Sequence, residues 1–100
     1  MIPEHLLQDR YWRGLLYIFT HHNKLKQFLK PEFVDFEELT VHVEALLEAS
    51  KDWSLSEKFM LYAALYIFNG RVKFDMSDAD RLNDKDADIL ITALRMRYAM

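Results

Sequence analysis

The sequence predicts an all-α fold, a compact bundle of four to five helices around a central apolar helix at about residues 55–69. Three observations carry that prediction. The run Phe59-Met60-Leu61-Tyr62-Ala63-Ala64-Leu65-Tyr66-Ile67-Phe68 is ten residues without a charge, and a helix apolar on every side must be surrounded by the rest of the fold. It opens with Ser54-x-x-Glu57, a capping-box spacing, in which the serine side chain and the glutamate each satisfy an otherwise unpaired backbone N–H. It closes with Asn69-Gly70, and glycine tolerates the left-handed conformation that ends a helix.

The remaining elements follow in order. A first helix is expected just after Pro3, a residue suited to an early helical position. Leu7, Tyr11, Leu15 and Ile18 fall on one stripe, which Leu6, Leu16 and Phe19 widen. Gly14 costs this helix about 1 kcal/mol relative to alanine, and in return permits a close helix crossing. Thr20-His21-His22-Asn23 breaks the pattern; Asn23 is placed to cap a short second helix with Leu25, Phe28 and Leu29, which Pro31 stops. A third helix is predicted from Asp35 to about Ala49. Asp35 and Glu38 have capping-box spacing, and Val34 and Leu39 form the matching hydrophobic staple. Phe36, Leu39, Val43, Leu46 and Leu47 make its apolar face.

After the central helix, Val72 and Phe74 alternate with Arg71 and Lys73, the pattern of a short extended stretch. One helical turn is expected around Ser77-Asp78-Ala79-Asp80, with Ser77 in a capping role. Asn83 then caps the last helix, whose expected buried stripe is Ala87, Leu90, Ile91, Leu94 and Tyr98. Asp84 and Asp86 at its start and Arg95 and Arg97 near its end complement the helix dipole.

One hundred residues with two glycines and two prolines read as a single helical domain, 1–100, with short connections. Apolar residues are 51% of the chain and aromatics 14%, more than a small core can bury, and surplus apolar surface marks contact sites. The net charge of −3 argues against a dedicated nucleic-acid binder. The charge is uneven. Residues 1–30 set Arg10, Arg13, Lys24, Lys26 and Lys30 against Glu4 and Asp9, a balance of +3, whereas residues 31–57 set eight acids against Lys51, a balance of −7. No cysteine is present, which removes disulfides and thiolate chemistry. The N-terminus lacks a signal-peptide pattern, and no apolar run reaches the ~18 residues of a membrane span. A cytoplasmic protein with no membrane partner is expected.

The chemical motifs are sparse. Asp84-x-Asp86-x-Asp88 matches the first three ligand positions of an EF-hand loop. The position that needs glycine is Ile89, and the one that needs glutamate is Arg95. His5 and Asp9, and Glu38 and His42, are spaced to share a helix face, but neither pair brings a third ligand. A metal-dependent activity using histidines and carboxylates from separate helices is therefore one alternative, with His42 more naturally a half-buried polar neighbour of the third helix. The serines lie in no GxSxG motif. Gly14 and Gly70 are too far apart to build a phosphate loop. A helix-turn-helix drawn through 36–69 would put an apolar helix into the major groove, where it could neither neutralise phosphates nor read bases. Arg10, Arg13, Lys24, Lys26 and Lys30, interleaved with aromatics, define the second alternative, a small nucleic-acid-binding regulator. No cofactor is expected.

Trp53-Ser54-Leu55-Ser56-Glu57-Lys58-Phe59-Met60-Leu61, followed by Leu65-Tyr66-Ile67-Phe68-Asn69-Gly70, resembles small uncharacterised all-helical proteins of Gram-positive bacteria and their phages. The resemblance implies a bacterial or phage origin and brings no activity or catalytic residue with it. The composition points to a non-enzymatic accessory or protein-interaction protein, self-associating as a homodimer. Its expected contact surface draws on Trp12, Trp53, Met96, Tyr98 and Met100, since Trp, Tyr and Met are enriched at interfaces.

Overall fold

A computed structural model describes residues 2–98. Its α-helices are α1 (Trp12–His21), α2 (Val43–Ala49), α3 (Leu55–Asn69) and α4 (Asp84–Tyr98). Short 3-10 turns cover Glu4–Gln8, Leu25–Phe28 and Met76–Arg81, and a two-residue strand pair joins Val34–Asp35 (β1) to Thr40–Val41 (β2). The architecture is all-α, with α3 at its centre. Among the described residues, no helix is long and apolar enough to cross a membrane.

α3 forms as its sequence dictates. The Ser54 hydroxyl accepts from the Glu57 N–H at 3.2 Å, and the Glu57 carboxylate accepts from the Ser54 N–H at 3.1 Å. Gly70 ends the helix in the left-handed region at φ 75°. Phe59, Met60, Leu61, Ala63, Ala64, Leu65 and Ile67 are buried. Tyr62, Tyr66 and Phe68 are half-buried and pack against the same core, so the charge-free run is lined by protein around its circumference.

The helix directions follow from contacts at the two ends of α1. Gly14 lies against Ile67, Ala93 and Arg97, while His22 faces Asp86 at the other end of α1. Helices α3 and α4 therefore run parallel to each other and antiparallel to α1. Two parallel neighbours need a return crossing, and residues 71–83 supply it. Phe74 stacks edge-on against Tyr66 (5.1 Å between centroids) and Phe59 (5.3 Å), pinning the crossing segment along α3. The alternating Val72–Phe74 stretch thus has a packing role and no strand partner among the described residues. Asp75 starts the following 3-10 turn by accepting from the Ser77 N–H at 2.9 Å; the aspartate is the cap here, and Ser77 is the donor.

Gly14 does permit a close crossing. A Cβ built there would sit 2.9 Å from Ile67 Cδ1 and 3.2 Å from the Ala93 carbonyl oxygen.

Four expectations are corrected. The N-terminal helix is broken. Asp9 Oδ1 accepts from the Tyr11 and Trp12 N–H groups at 2.8 and 3.1 Å, starting α1 afresh. That break turns Leu7 and Tyr11 outward, to 48% and 45% exposure. The helix expected from Asp35 is a hairpin followed by a shorter helix. Asp35 Oδ1 accepts from the N–H groups of Glu37 and Glu38 at 2.9 and 3.0 Å, as an N-cap would. The chain then reverses through Leu39 at φ 53° and pairs Val34 with Val41. Burying Val34 and Val41 together, at 2% and 9% exposure, holds the reversal in place. His42, expected half-buried beside a helix, is exposed at the start of α2. Finally, α4 is rotated from its expected face. Ile89, Leu90 and Ala93 are buried, while Ile91 and Tyr98 are 50% and 49% exposed.

Candidate functional site

The rotation of α4 is set by what its inner face must touch. Asn83 caps the helix, its side-chain oxygen accepting from the Asp86 N–H at 2.8 Å. Asp86 then points inward, and its Oδ2 lies 3.6 Å from His22 Nε2. His22 is buried at 6% exposure and closes α1, where its N–H donates to the Ile18 carbonyl. Its other ring nitrogen, Nδ1, accepts from the Leu25 N–H at 3.4 Å. Burial pulls the imidazole pKa below its ordinary value of 6.5, and the nearby carboxylates of Asp86 and Glu57 only partly oppose that pull. His22 is therefore neutral at pH 7.

At the far end of α4, two arginines satisfy helix-terminal carbonyls. Arg97 Nε donates to the Ile67 carbonyl oxygen in the last turn of α3 at 2.7 Å. Its guanidinium lies between the rings of Tyr11 (4.5 Å) and Tyr98 (4.8 Å). Arg13 Nε donates to the Met96 carbonyl oxygen near the end of α4. Carbonyls in a last turn lack partners in their own helix, and a cation there also meets the negative end of the dipole.

With His22, Asp86 and Arg97 directed inward, the opposite side of α4 is fixed. Ile91, Leu94, Arg95 and Tyr98 line an open apolar depression on the outer surface. Ile91 and Tyr98 are half exposed, Leu94 is half-buried, and Asp84, Asp88 and Arg95 stand exposed on the same side of the helix. This is the candidate contact surface.

The residues expected to form a contact surface do not gather there. Trp12 is 7% exposed and stacks edge-on against Phe68 at 4.9 Å, so it is a core residue. Trp53 is half-buried against Phe28 at 5.0 Å, beneath the Lys24 ammonium at 5.5 Å. Met96 is half-buried on the α1 side of α4, lining a cavity of about 230 Å³ with Leu7, Leu16 and Tyr17. Met100 lies outside the described residues. Of the four that are described, Tyr98 alone sits on the outer face of α4. Ile91 and Leu94 had been expected in the core; no periodicity separates an inner from an outer stripe when both are apolar.

The five basic residues of the N-terminal third are likewise dispersed. Arg13 is engaged with the end of α4, and Lys24 lies over Trp53. Arg10 lies over the Tyr11 ring, and Lys26 and Lys30 are exposed farther along the chain.

Among the described residues, no group of three or more His, Asp or Glu side chains could hold a metal ion. Asp84, Asp86 and Asp88 diverge on the first turns of α4, with Asp86 committed to His22. The serines also have local roles: the Ser50 hydroxyl donates to the Leu47 carbonyl, and Ser54 caps α3. A surface groove of about 770 Å³ between α2 and the chain after α3 is open and brings together Glu32, His42, Glu44 and Arg71. Among the described residues, no hydrogen bond or ion pair links those four.

No family model matches the chain, and no similar curated protein or similar solved structure is found.

Proposed function

We propose that this chain is a non-enzymatic accessory protein that acts through protein contact in the cytoplasm and associates with itself. The observation that supports this reading is the outer face of α4. Ile91 and Tyr98 stand half exposed one heptad apart, with Leu94 between them. Apolar side chains at this spacing form one continuous stripe along a helix. Such a stripe is more effectively removed from water by a second surface than left solvated. The polar groups inside the fold are accounted for structurally, because His22, Asp86, Arg13 and Arg97 each hold one element against another.

Sedimentation equilibrium of the full chain tests the reading. Reversible association in the micromolar range is expected. Ile91→Asp, which places a charge on the stripe, should leave a monomer with unchanged helicity by circular dichroism. A wild-type chain that stays monomeric at several hundred micromolar would overturn self-association.

A further inference from the structure

The order of charges along the outer face of α4 specifies how two copies meet. From its N-terminal end the face reads Asp84, Ala87, Asp88, Ile91, Leu94, Arg95, Tyr98. Positions 84, 91 and 98 are spaced by seven, as are 87 and 94, and 88 and 95. This is the periodicity with which two helices keep one seam in contact. The acids occupy the first half, the arginine the second, and Ile91 the middle. At a rise of about 1.5 Å per residue, each end of the face lies roughly 10 Å from Ile91.

We propose that two copies of this chain pair through α4 in an antiparallel arrangement, with Ile91 on the two-fold axis and Arg95 of each copy facing Asp88 of the other. This proposal rests on the self-association reading above. A two-fold axis at Ile91 sets each residue against one equally far on the other side. Asp88 then lies opposite Leu94 and beside Arg95, and Asp84 lies opposite Tyr98. Both Arg95–Asp88 contacts form at once, because a two-fold interface repeats every contact. The parallel alternative sets Asp84 against Asp84 in the seam and leaves Asp88 and Arg95 of the two copies on opposite flanks, where they cannot pair. Antiparallel pairing also sets the positive end of each helix dipole against the negative end of the other. A face that is acidic at one end and basic at the other is complementary to itself in this orientation, and that argues for a second copy as its occupant.

Charge exchange tests the geometry, read by sedimentation equilibrium at low ionic strength with circular dichroism as the check on folding. Asp88→Arg alone, or Arg95→Asp alone, should weaken association by about tenfold, since each turns two attractive contacts into repulsive ones. The double variant D88R/R95D should return association to near the wild-type level. An equimolar mixture of the two single variants should form heterodimers in preference to either homodimer. If Ile91→Asp dissociates the dimer but neither charge variant changes it, self-association through α4 stands and the antiparallel register fails. If Ile91→Asp leaves the dimer intact, the contact lies on another face and both readings of α4 fail. A monomeric wild-type chain overturns self-association and this geometry with it.

Discussion

Replacing Gly14 with alanine is the sharpest test of how α1, α3 and α4 come together. On an exposed helix the substitution is favourable by about 1 kcal/mol, because alanine loses less backbone freedom on folding. Here the new methyl carbon would lie 2.9 Å from Ile67 Cδ1 and 3.2 Å from the Ala93 carbonyl oxygen, with Arg97 Cβ at 3.6 Å. Carbon atoms pack best at about 3.5–4.0 Å. Ile67 is fully buried and cannot swing its terminal carbon into open space. The second contact is backbone of α4, so relief requires α4 to shift away from α1. Arg13 spans that same crossing and Arg97 reaches from α4 to α3. Overpacking of this kind costs about 1–3 kcal/mol. Set against the gain in helix propensity, the net expected loss is about 1 kcal/mol. For a domain of this size that is a fall in Tm of about 4–8 °C. Urea denaturation at pH 7.5 measures it, with Thr20→Ala, at an exposed position of the same helix, as the control. The control should be neutral or slightly stabilising, and Gly14→Val should lose more than Gly14→Ala. A Gly14→Ala chain as stable as the wild type would refute the close crossing.

Four further outcomes follow from the same structure. His22 has a lowered pKa in the folded chain because it is buried, so the unfolded chain binds a proton first as pH falls. Its stabilising effect is present above the unfolded value of 6.5 and is lost as pH drops from there through the folded pKa. Urea midpoints measured from pH 8 to pH 5 should fall across that window, and His22→Gln should flatten the fall; an unchanged slope would contradict a buried neutral imidazole. Ser54→Ala removes the α3 cap and should cost about 1 kcal/mol by urea denaturation. Gly70→Ala, which forces a side chain onto φ 75°, should cost about 1–2 kcal/mol. Phe74→Ala frees the crossing segment from α3; amide exchange should accelerate across residues 71–83 well before it does within α3, whereas uniform exchange would show that Phe74 does not anchor it.

The two ends of α3 could be read from the chain because both are local. Ser54, Glu57 and Gly70 satisfy or terminate backbone hydrogen bonds within a few residues of themselves, so no distant partner was needed to place them. Asn83 marks the start of α4 for the same reason. The Asp35 signal was also local and was ambiguous for that very reason. An aspartate that accepts from two following N–H groups starts a helix or a tight reversal equally well. The choice fell to Val34 and Val41, which bury each other only if the chain doubles back. Asp9 carries the same kind of signal, and there it divides a stripe that had seemed continuous.

The chain alone therefore determined an all-helical fold built on α3, the ends of that helix, and a glycine at position 14 that permits a close crossing. Only the tertiary structure decided which side of α4 faces inward. Leu90, Leu94 and Ile91 are similar in polarity, so α4's apolar pattern permits more than one rotation. The docking of Ala93 against Gly14, Asp86 against His22 and Arg97 against the end of α3 selects one of them. That selection leaves Ile91 and Tyr98 on the surface, because a helix can turn only one face to its neighbours.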